Sequence, residues 1–572
     1  MKVLLLDPDD DPNWGPWAQQ PWNRVVDLGI AGQRTYESWS KLFYCPVEPL
    51  PKLGLEDFKQ VREVLFSGLG RVVDTHGFDW WELISIEYHE RVERVLRLQK
   101  LAAQIGRSDE VFVSRDGFDR QVIEILLGRV VRWFVQADSA VKRMRRKFGS
   151  VSKLGLGQIR QILGDKYDAD YRIRRFTSRH KKACERPVVL LPTAYVNVSR
   201  TGLGYAAALP DRDYLLVSTR QSGWVNDPPK NVAVARLASY APGKFQKDEY
   251  QYLLDCWRRL QTEFHDRREL LALNEFGTFE CVPAMLRDGL AIRDAWVQVF
   301  EREPVTAVLC ADDSNTYTRL PLLIARERGL PAIACHHGAL DGRHLIKRNH
   351  ADFILAKGRM EQDYLTRVCG VAREQIEVGA PPGEGFSGAR REKGSVVFFS
   401  ESYEVAGGRC IEFYREILPS LAEIAAANQC EVVVKLHPQE SLRQRESFVN
   451  AVLSAKQREG VRVVEGRLSE QLLAKIWFAV TVLSTTAVDC ALRGIPVFLC
   501  TWLEYSSWRY GEQFVKFGAG AKLSSPDQIS EIPRLMEHFA AGSTRDLWQP
   551  IAPERLDRML SANGCAKVAA AV

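Results

Sequence analysis

A short motif near the C-terminal end of the chain places basic side chains directly after a run of residues typical of a buried strand. Lys435 and His437 end an apolar run that begins at Val432, and Pro438 follows them. The proline ring favours extended backbone at His437 and helps to end the strand. A lysine or a protonated imidazole here can neutralise the charge of a phosphate. Alternatively, a neighbouring loop could hold such a histidine in a purely structural role, but the basic Lys435 two positions earlier favours the functional one.

A second motif contains the consecutive hydroxyl side chains Ser484, Thr485 and Thr486, between an apolar run and a predicted helix. Hydroxyls and free backbone N–H groups at the start of a helix favour an anion. The same residues could serve only as an ordinary helix N-cap. Asp489 lies in the first turn of this helix, where it could also reach a ribose hydroxyl. The two motifs together predict a site for the phosphate of a nucleotide.

Candidate acid–base residues follow two predicted strands further upstream. Asp312 and Asp313 come after one strand, and His336 and His337 come after the next. Because adjacent side chains on a strand point in opposite directions, we expect only one of the two histidines at this edge. We favour His337 because Gly338 follows it and permits close approach of a ligand. His337 is placed as a general base for a hydroxyl nucleophile, while Asp312 and Asp313 are competing bases or could orient it.

Two further features of the sequence bear on ligands. Arg409 follows two glycines in a predicted strand-to-helix loop, which could receive a diphosphate or a sugar carboxylate. The aromatic residues Trp502, Tyr505, Trp508 and Tyr510 could stack on a base or sugar, or belong to the core. No residue supplies a third metal ligand with suitable spacing near the histidine pair, so no metal site is predicted.

Alternating strand and helix patterns position these residues. From residue 186 to 380, and again from 395 to 545, the pattern predicts parallel sheets covered by helices. The Pro- and Gly-rich stretch between them reads as a linker. We therefore predict an α/β protein with two facing Rossmann-like domains. Residues 1–185 are expected to form one strand followed by a largely helical region, and residues 546–572 a C-terminal tail.

Composition limits the classes of function. Of the 572 residues, 46% are hydrophobic, and the net charge of +6 does not indicate a nucleic-acid partner. No run approaches the roughly 18–20 apolar residues of a membrane span. Scattered cysteines without paired spacing favour a reducing, cytoplasmic location. The basic cluster at residues 142–147 could face solvent or contact anionic lipid, so peripheral contact with the inner membrane stays open.

In combination, these motifs resemble those of a known group of enzymes. The Lys435-x-His437-Pro438 element and the Ser484–Asp489 element, continued by Gly494-Ile495-Pro496, look like motifs of bacterial capsule polymerases. That group includes polysialyltransferases, Kdo transferases and CDP-glycerol glycerophosphotransferases. The block from Asp312 to Gly338 is similar to the acceptor-side half of the same enzymes, where a strand commonly ends in Gln-His-Gly. The resemblance covers about residues 187–540, and residues 1–185 have no part in it.

The resemblance implies a metal-independent GT-B glycosyltransferase of surface polysaccharide synthesis. Its C-terminal half would bind a nucleotide-sugar donor, with His437, Ser484 and Thr485 at the donor phosphate. His337 or an aspartate would be the base for a glycan or lipid-linked acceptor, and no other cofactor is expected. The second motif has Val488-Asp489 where an acidic-Ala pair is common, which leaves the donor open among CMP-, CDP- and UDP-linked sugars. Two alternatives are a UDP-N-acetylglucosamine 2-epimerase-like enzyme and a catalytically silent scaffold in a polysaccharide assembly complex.

Overall fold

The computed structural model describes residues 1–135, 184–242, 246–382, 394–466, 468–506, 508–539 and 542–561. The basic cluster at residues 142–147 lies outside the described residues. Within these ranges, none of the helices combines the length and apolar character needed to cross a membrane.

Strands and helices alternate along the described part of the chain. The strands are Lys2–Leu6 (β1), Arg24–Asp27 (β2), Val47–Pro49 (β3), Glu110–Arg115 (β4), Arg132–Val135 (β5), Val188–Thr193 (β6), Tyr214–Ser218 (β7), Val232–Arg236 (β8), Val305–Cys310 (β9), Ala332–Cys335 (β10), Phe353–Ala356 (β11), Ile376–Val378 (β12), Ser395–Phe399 (β13), Glu431–Lys435 (β14), Val461–Val464 (β15), Ile476–Thr481 (β16), Val497–Cys500 (β17) and Ala521–Leu523 (β18). The helices are Gln33–Phe43 (α1), Leu55–Phe66 (α2), Trp80–Ser85 (α3), His89–Ala102 (α4), Phe118–Leu127 (α5), Val196–Ala208 (α6), Lys247–Glu263 (α7), Arg268–Glu275 (α8), Val282–Arg302 (α9), Thr316–Glu327 (α10), Arg359–Arg367 (α11), Cys410–Ala427 (α12), Leu442–Val452 (α13), Ala455–Arg458 (α14), Glu470–Lys475 (α15), Thr486–Leu492 (α16), Tyr510–Lys516 (α17), Ile532–Leu535 (α18), Thr544–Leu547 (α19) and Pro553–Ser561 (α20).

The strands form three sheets with one common order. The sheets run β3-β2-β1-β4-β5, β12-β11-β10-β9-β6-β7-β8 and β15-β14-β13-β16-β17-β18, and their strands pair in parallel. In each sheet the first strand along the chain lies beside the fourth, which is the Rossmann order. The predicted α/β class with Rossmann-like domains is confirmed. Ligands of such sheets bind at the carboxyl ends of the first and fourth strands, which we call the switch point.

The buried strands explain why the second and third sheets were predictable. All residues of β6 and β13 are buried, as expected for parallel strands covered by helices on both faces. Such strands read in the sequence as continuous apolar runs.

The N-terminal region contains a sheet that the sequence analysis missed. Helices α1 to α5 are present, but the same part of the chain also forms a five-stranded parallel sheet. The expectation of one strand followed by a largely helical region is therefore incomplete. Strands β2, β3 and β5 are only three or four residues long. Runs that short carry little periodic signal, so the longer helices between them dominated the pattern.

The chain divides into two compact units. The first contains residues 1–60, 90–137 and 385–547, and therefore the first and third sheets. The second contains residues 61–89, 138–384 and 548–572, and therefore the second sheet. The predicted boundaries differ from this division, because the N-terminal sheet belongs with the C-terminal one.

The predicted C-terminal tail is part of the second unit. Ile551, Leu556 and Leu560 are buried in the hydrophobic core of the second sheet. Pro550 forms an isolated bridge with Ala380, just beyond β12. Residues 546–572 are thus not a separate tail as far as they are described, since the apolar face of α20 is buried.

Candidate functional site

The switch point of the second sheet brings together three side chains. Tyr195 follows β6, and its hydroxyl donates a hydrogen bond to Oδ2 of Asp312, which follows β9, at 2.8 Å. The same hydroxyl lies 3.2 Å from Nε2 and 3.3 Å from Nδ1 of His337, which follows β10. The Asp312 carboxylate is buried and also accepts the Ser314 N–H at 3.1 Å. The structure therefore places two predicted residues, Asp312 and His337, around Tyr195, which the sequence analysis did not identify.

This arrangement suits His337 to accept a proton. Burial lowers the pKa of His337, and the Asp312 carboxylate only partly opposes that effect. Burial and Asp312 raise the pKa of the Tyr195 phenol, so its hydroxyl stays protonated. That hydroxyl donates to Asp312 and lies at nearly equal distances from both nitrogens of the His337 ring. One nitrogen of the neutral ring carries a lone pair and can act as a general base.

The neighbouring histidine also approaches Asp312. The His336 and His337 ring centroids are 4.3 Å apart, although we expected only one of the two rings at this edge. Strand β10 ends at Cys335, so the alternation of side chains in a strand does not extend to these residues. Lys357 donates to the backbone carbonyls of His336 and Gly338 and fixes this turn.

The three side chains at this edge could in principle hold a metal ion. Asp312, His336 and His337 offer ligand atoms that lie within 4.8 Å of one another. The Gly338 N–H, however, donates to Nδ1 of His336 at 3.2 Å. A neutral His336 ring therefore carries its proton on Nε2, and a protonated nitrogen cannot ligate a metal. The donor set does not fit a resident ion.

This tautomer gives a testable expectation for metals. We expect added Zn²⁺ or Mn²⁺ and treatment with EDTA to leave the melting temperature of the protein unchanged, because an ion that binds only the folded state would raise it by mass action. Differential scanning fluorimetry with and without each ion measures the effect. A melting temperature that rises with Zn²⁺ and returns to its original value in His336→Ala would overturn the tautomer argument.

Asp313 occupies a different environment from Asp312. It is buried and accepts a hydrogen bond from Lys347 Nζ at 2.6 Å, and His344 Nε2 lies 3.8 Å away. Burial alone would raise the pKa of Asp313, but Lys347 and His344 lower it to about 2. The carboxylate therefore stays ionised within a buried ion pair. This environment argues against the predicted role of Asp313 as a base and assigns it a structural one.

The switch point of the third sheet contains a carboxyl group that the sequence analysis did not single out. Glu401 follows β13, and its Oε1 accepts the Leu483 N–H at 3.3 Å and the Thr481 hydroxyl at 3.4 Å, both from the end of β16. Its Oε2 accepts the Tyr505 hydroxyl at 2.5 Å. Glu401 therefore connects the ends of neighbouring strands at the place where a ligand of this sheet would bind.

The predicted hydroxyl motif lies at the same switch point. The Ser484 N–H donates to Oγ1 of Thr481 at 3.2 Å, and Oγ of Ser484 accepts the Thr486 hydroxyl at 2.9 Å. Ser484, Thr485 and Thr486 are half-buried, while Asp489 is exposed on the short helix α16. The local hydrogen bonds show that Ser484 organises the turn. The half-buried hydroxyls stay close to Glu401 because Ser484 follows Leu483 directly.

The basic motif at the end of β14 is held in place by its own loop. Lys435 is buried, and its Nζ donates to the carbonyls of Leu436 at 2.9 Å and Gly466 at 2.6 Å. His437 is exposed, and its backbone N–H donates to Oε2 of Glu440 at 2.7 Å. Two of the three N–H donors of Lys435 are therefore engaged with backbone. His437 is the member of the motif that can meet a ligand.

Arg409 has a structural role in the first unit instead of the predicted one. Its Nε and Nη2 donate to Oδ1 of the buried Asp27 at 3.0 and 2.8 Å. The other N–H groups donate to the carbonyls of Asp7, Pro8 and Asp10 at 2.7, 2.9 and 2.7 Å. These bonds use all five donors of a guanidinium group. The prediction that Arg409 receives a diphosphate is therefore not supported, because no donor remains for an anion.

A cavity of about 870 Å³ lies in the first unit, and none of the switch-point residues described above lines it. Trp502, one of the aromatic residues noted in the sequence, forms part of its wall. The other lining residues come from helix α1, strand β3 and the adjoining loops, and they are Ile30, Ala31, Gln33, Tyr36, Glu37, Ser40, Lys41, Val47, Pro49 and Lys52. The cavity therefore coincides with neither switch point.

Similarity to known proteins is found among solved structures. No protein-family model and no curated protein matches the chain. Solved structures that it resembles include a UDP-GlcNAc 2-epimerase from Methanocaldococcus jannaschii, at 12% identity and a TM-score of 0.42, with 66% of this chain and 99% of that one covered. The epimerase from Neisseria meningitidis bound to UDP-GlcNAc has 12% identity and a TM-score of 0.37, with 66% and 99% covered.

Glycosyltransferases are also among the similar structures. The calicheamicin glycosyltransferase CalG4 has 15% identity and a TM-score of 0.35, with 66% of this chain and 95% of that one covered. TM-scores and identities this low do not assign a family. The Rossmann order of the sheets and the two switch-point constellations therefore carry the functional argument.

Proposed function

We propose that this protein is a metal-independent glycosyltransferase of bacterial surface polysaccharide synthesis. It would move a sugar from a CMP-, CDP- or UDP-linked donor to a glycan or lipid-linked acceptor, with no cofactor besides the nucleotide-sugar. The observation that carries the proposal is the Tyr195–Asp312–His337 constellation at the switch point of the second sheet. A neutral imidazole next to a buried carboxylate is suited to activate a hydroxyl nucleophile.

In the proposed reaction, the free nitrogen of His337 takes the proton of the acceptor hydroxyl. The acceptor oxygen then bonds to the anomeric carbon of the sugar, and the nucleotide leaves with the electrons of the broken bond. The imidazolium that forms is stabilised by Asp312 through the Tyr195 hydroxyl. Its charge develops beside a carboxylate that is already in place, which lowers the barrier.

On the donor side, the proposal assigns the nucleotide phosphate to the switch point of the third sheet. Ser484, Thr485 and Thr486 supply hydroxyls there, and His437 supplies an imidazole after the neighbouring strand. Glu440 supports this arrangement. Its carboxylate accepts hydrogen bonds from the His437 backbone N–H at 2.7 Å, the Ser400 hydroxyl at 2.7 Å and the Nε–H of Arg445 at 2.6 Å. The loop that carries His437 is therefore fixed before any ligand binds.

We also propose that the enzyme is cytoplasmic and makes peripheral contact with the inner membrane. The mildly basic balance of the chain, with 78 basic and 72 acidic residues, supports such contact with anionic lipid. Sedimentation with vesicles of phosphatidylglycerol, compared with vesicles of phosphatidylcholine, tests this part. Binding that is equal for both lipids, or absent, would contradict it.

Nucleotide affinity tests the donor side. We expect one of CMP, CDP and UDP to bind, and Ser484→Ala and His437→Ala each to weaken its binding by about tenfold to a hundredfold, because a hydrogen bond to a charged group contributes about 1.5–3 kcal/mol. Isothermal titration calorimetry measures the dissociation constants. Ser447→Ala is the matched control, since Ser447 is exposed on α13 and its hydroxyl donates to the Gln444 carbonyl of the same helix. Unchanged affinity in both site variants would contradict the assignment.

A further inference from the structure

Glu401 stands out among the titratable groups outside the proposed reaction steps. It is partly exposed at the switch point of the third sheet, where the proposed function places a nucleotide phosphate, and the inference below rests on that function. Its carboxyl oxygens accept hydrogen bonds from the Leu483 N–H, the Thr481 hydroxyl and the Tyr505 hydroxyl. The turn that carries the hydroxyl motif is therefore hydrogen-bonded to this carboxyl group.

The charges around Glu401 are unfavourable for a carboxylate. Among the described residues, no ion pair involves Glu401, and the titratable groups that face it are the Glu440 carboxyl and the hydroxyls of Tyr505 and Tyr403. The nearby Lys435 directs its ammonium group to two backbone carbonyls. Burial and the charge of Glu440 raise the pKa of Glu401, whereas its hydrogen bonds with Tyr505, Leu483 and Thr481 lower it. The balance of these effects puts the pKa at about 7.

A phosphate at this edge would add negative charge beside Glu401. An ionised Glu401 would repel it, whereas a protonated carboxyl could donate a hydrogen bond to a phosphate oxygen while its oxygens still accept from Leu483 and Tyr505. A nearby like charge always favours the neutral form of a carboxyl group. We propose that Glu401 contacts the donor phosphate as a neutral carboxylic acid, so that binding of the nucleotide-sugar takes up one proton from solvent.

The direction in which donor affinity changes with pH follows from the proton that Glu401 must carry in the complex. Below about pH 7, free Glu401 is already protonated, and binding requires no proton uptake. Above that pH the free group is ionised and must gain a proton on binding. The affinity for donor should therefore be constant near pH 6 and fall by up to about tenfold for each pH unit above about 7, as one-proton linkage requires.

Calorimetry can count the proton. The probes are UDP-N-acetylglucosamine, CDP-glucose and CMP-N-acetylneuraminate, whose phosphates are esterified on both sides and do not titrate in this range. Titrations at pH 8 in buffers of different ionisation enthalpy, such as HEPES and Tris, should give an uptake of about one proton. The same titrations at pH 6 should give an uptake close to zero.

Two variants at the site and one matched control sharpen the test. Glu401→Gln keeps the shape but cannot titrate, so its affinity should not change between pH 6 and pH 8. Tyr505→Phe removes a hydrogen bond that favours the ionised form, so its loss of affinity should begin at a higher pH. Glu416→Gln is the control: Glu416 is a buried carboxyl that accepts the Thr35 N–H elsewhere in the same unit, and its variant should keep the full proton uptake.

The possible outcomes separate this inference from the proposed function. Donor binding without proton uptake at pH 8, with the same affinity at pH 6, would overturn the role of Glu401 and leave the glycosyltransferase proposal standing. Equal pH dependence in wild type and Glu401→Gln would do the same, because another group would then take the proton. Failure of every probe to bind at either pH would overturn both.

Discussion

Replacing His337 with alanine is expected to lower the turnover of sugar transfer by about a hundredfold to ten-thousandfold, the usual contribution of a general base. The expectation rests on the contact of the His337 ring with the Tyr195 hydroxyl, which in turn donates to Asp312 at 2.8 Å. Affinity for the nucleotide should stay close to that of the wild type, because the donor is assigned to a different sheet. Initial rates at saturating donor and acceptor measure the effect.

Two companion variants separate catalysis from stability. Tyr195→Phe keeps the ring but removes the hydroxyl between Asp312 and His337, and it should cost about tenfold in turnover through the loss of one charge-assisted hydrogen bond. His538→Ala is the matched control, since His538 is an exposed histidine in the other unit, and it should keep wild-type rates. Wild-type turnover in His337→Ala would remove this residue from the mechanism.

The pH dependence of turnover also tests the role of His337 as a general base. Because burial lowers the pKa of His337, its neutral form is present at pH 7 and persists below the usual range of histidine. Turnover should therefore hold at neutral pH and fall only as acid protonates the ring, and Tyr195→Phe should move that acid limb. If the acid limb were identical in the wild type and in Tyr195→Phe, the loss of turnover at low pH would arise from protonation of a group other than His337.

Replacing Arg409 with methionine is expected to reduce the free energy of unfolding of the first unit by about 3–5 kcal/mol, because breaking a buried ion pair leaves an uncompensated charge. The group left without its charged partner is the carboxylate of Asp27, which is 0% exposed. The carbonyls of Asp7, Pro8 and Asp10 lose their donors in the same variant. Urea denaturation followed by tryptophan fluorescence gives the change in stability.

Two further variants show where that loss arises. Arg409→Met combined with Asp27→Asn should recover part of the stability, since no buried charge then stays unpaired. Arg462→Met is the control, because Arg462 forms an exposed ion pair with Glu431 in the same unit, and such pairs contribute about 0–1 kcal/mol. If Arg409→Met left stability unchanged and instead weakened nucleotide binding, the diphosphate role predicted from the sequence would be correct and the structural one wrong.

The sequence predicted the second and third sheets because their central strands are buried on both faces. Runs such as Val432–Val434 and Phe398–Phe399 are continuously apolar, so their carboxyl ends could be located from the sequence, and with them His437, Ser484, Asp312 and His337. In the N-terminal sheet only β1 gave such a signal, since the outer strands β3 and β5 are short and only partly buried.

The contacts that define the sites depend on strand order, which local patterns do not encode. Tyr195 and Asp312 are 117 residues apart, and they meet because β6 pairs with β9. Glu401 reaches Leu483, 82 residues away, because β13 pairs with β16. Arg409 pairs with Asp27 across 382 residues because the first and third sheets share one unit. The order of residues along the chain does not show which strands lie side by side, whereas the order of the strands in each sheet does.

Acceptor-dependent release of nucleotide tests the proposed activity most directly. The purified protein is incubated with UDP-, CDP- and CMP-sugars, with and without oligosaccharide or lipid-linked acceptors, and the products are separated by chromatography. The proposal predicts that free nucleotide and an extended acceptor appear together, only when the acceptor is present, and that His337→Ala abolishes both. Conversion of a UDP-sugar to its epimer without acceptor would indicate an epimerase, and donor binding with no product from any pair would indicate a silent scaffold. Either result would contradict the assignment of a glycosyltransferase.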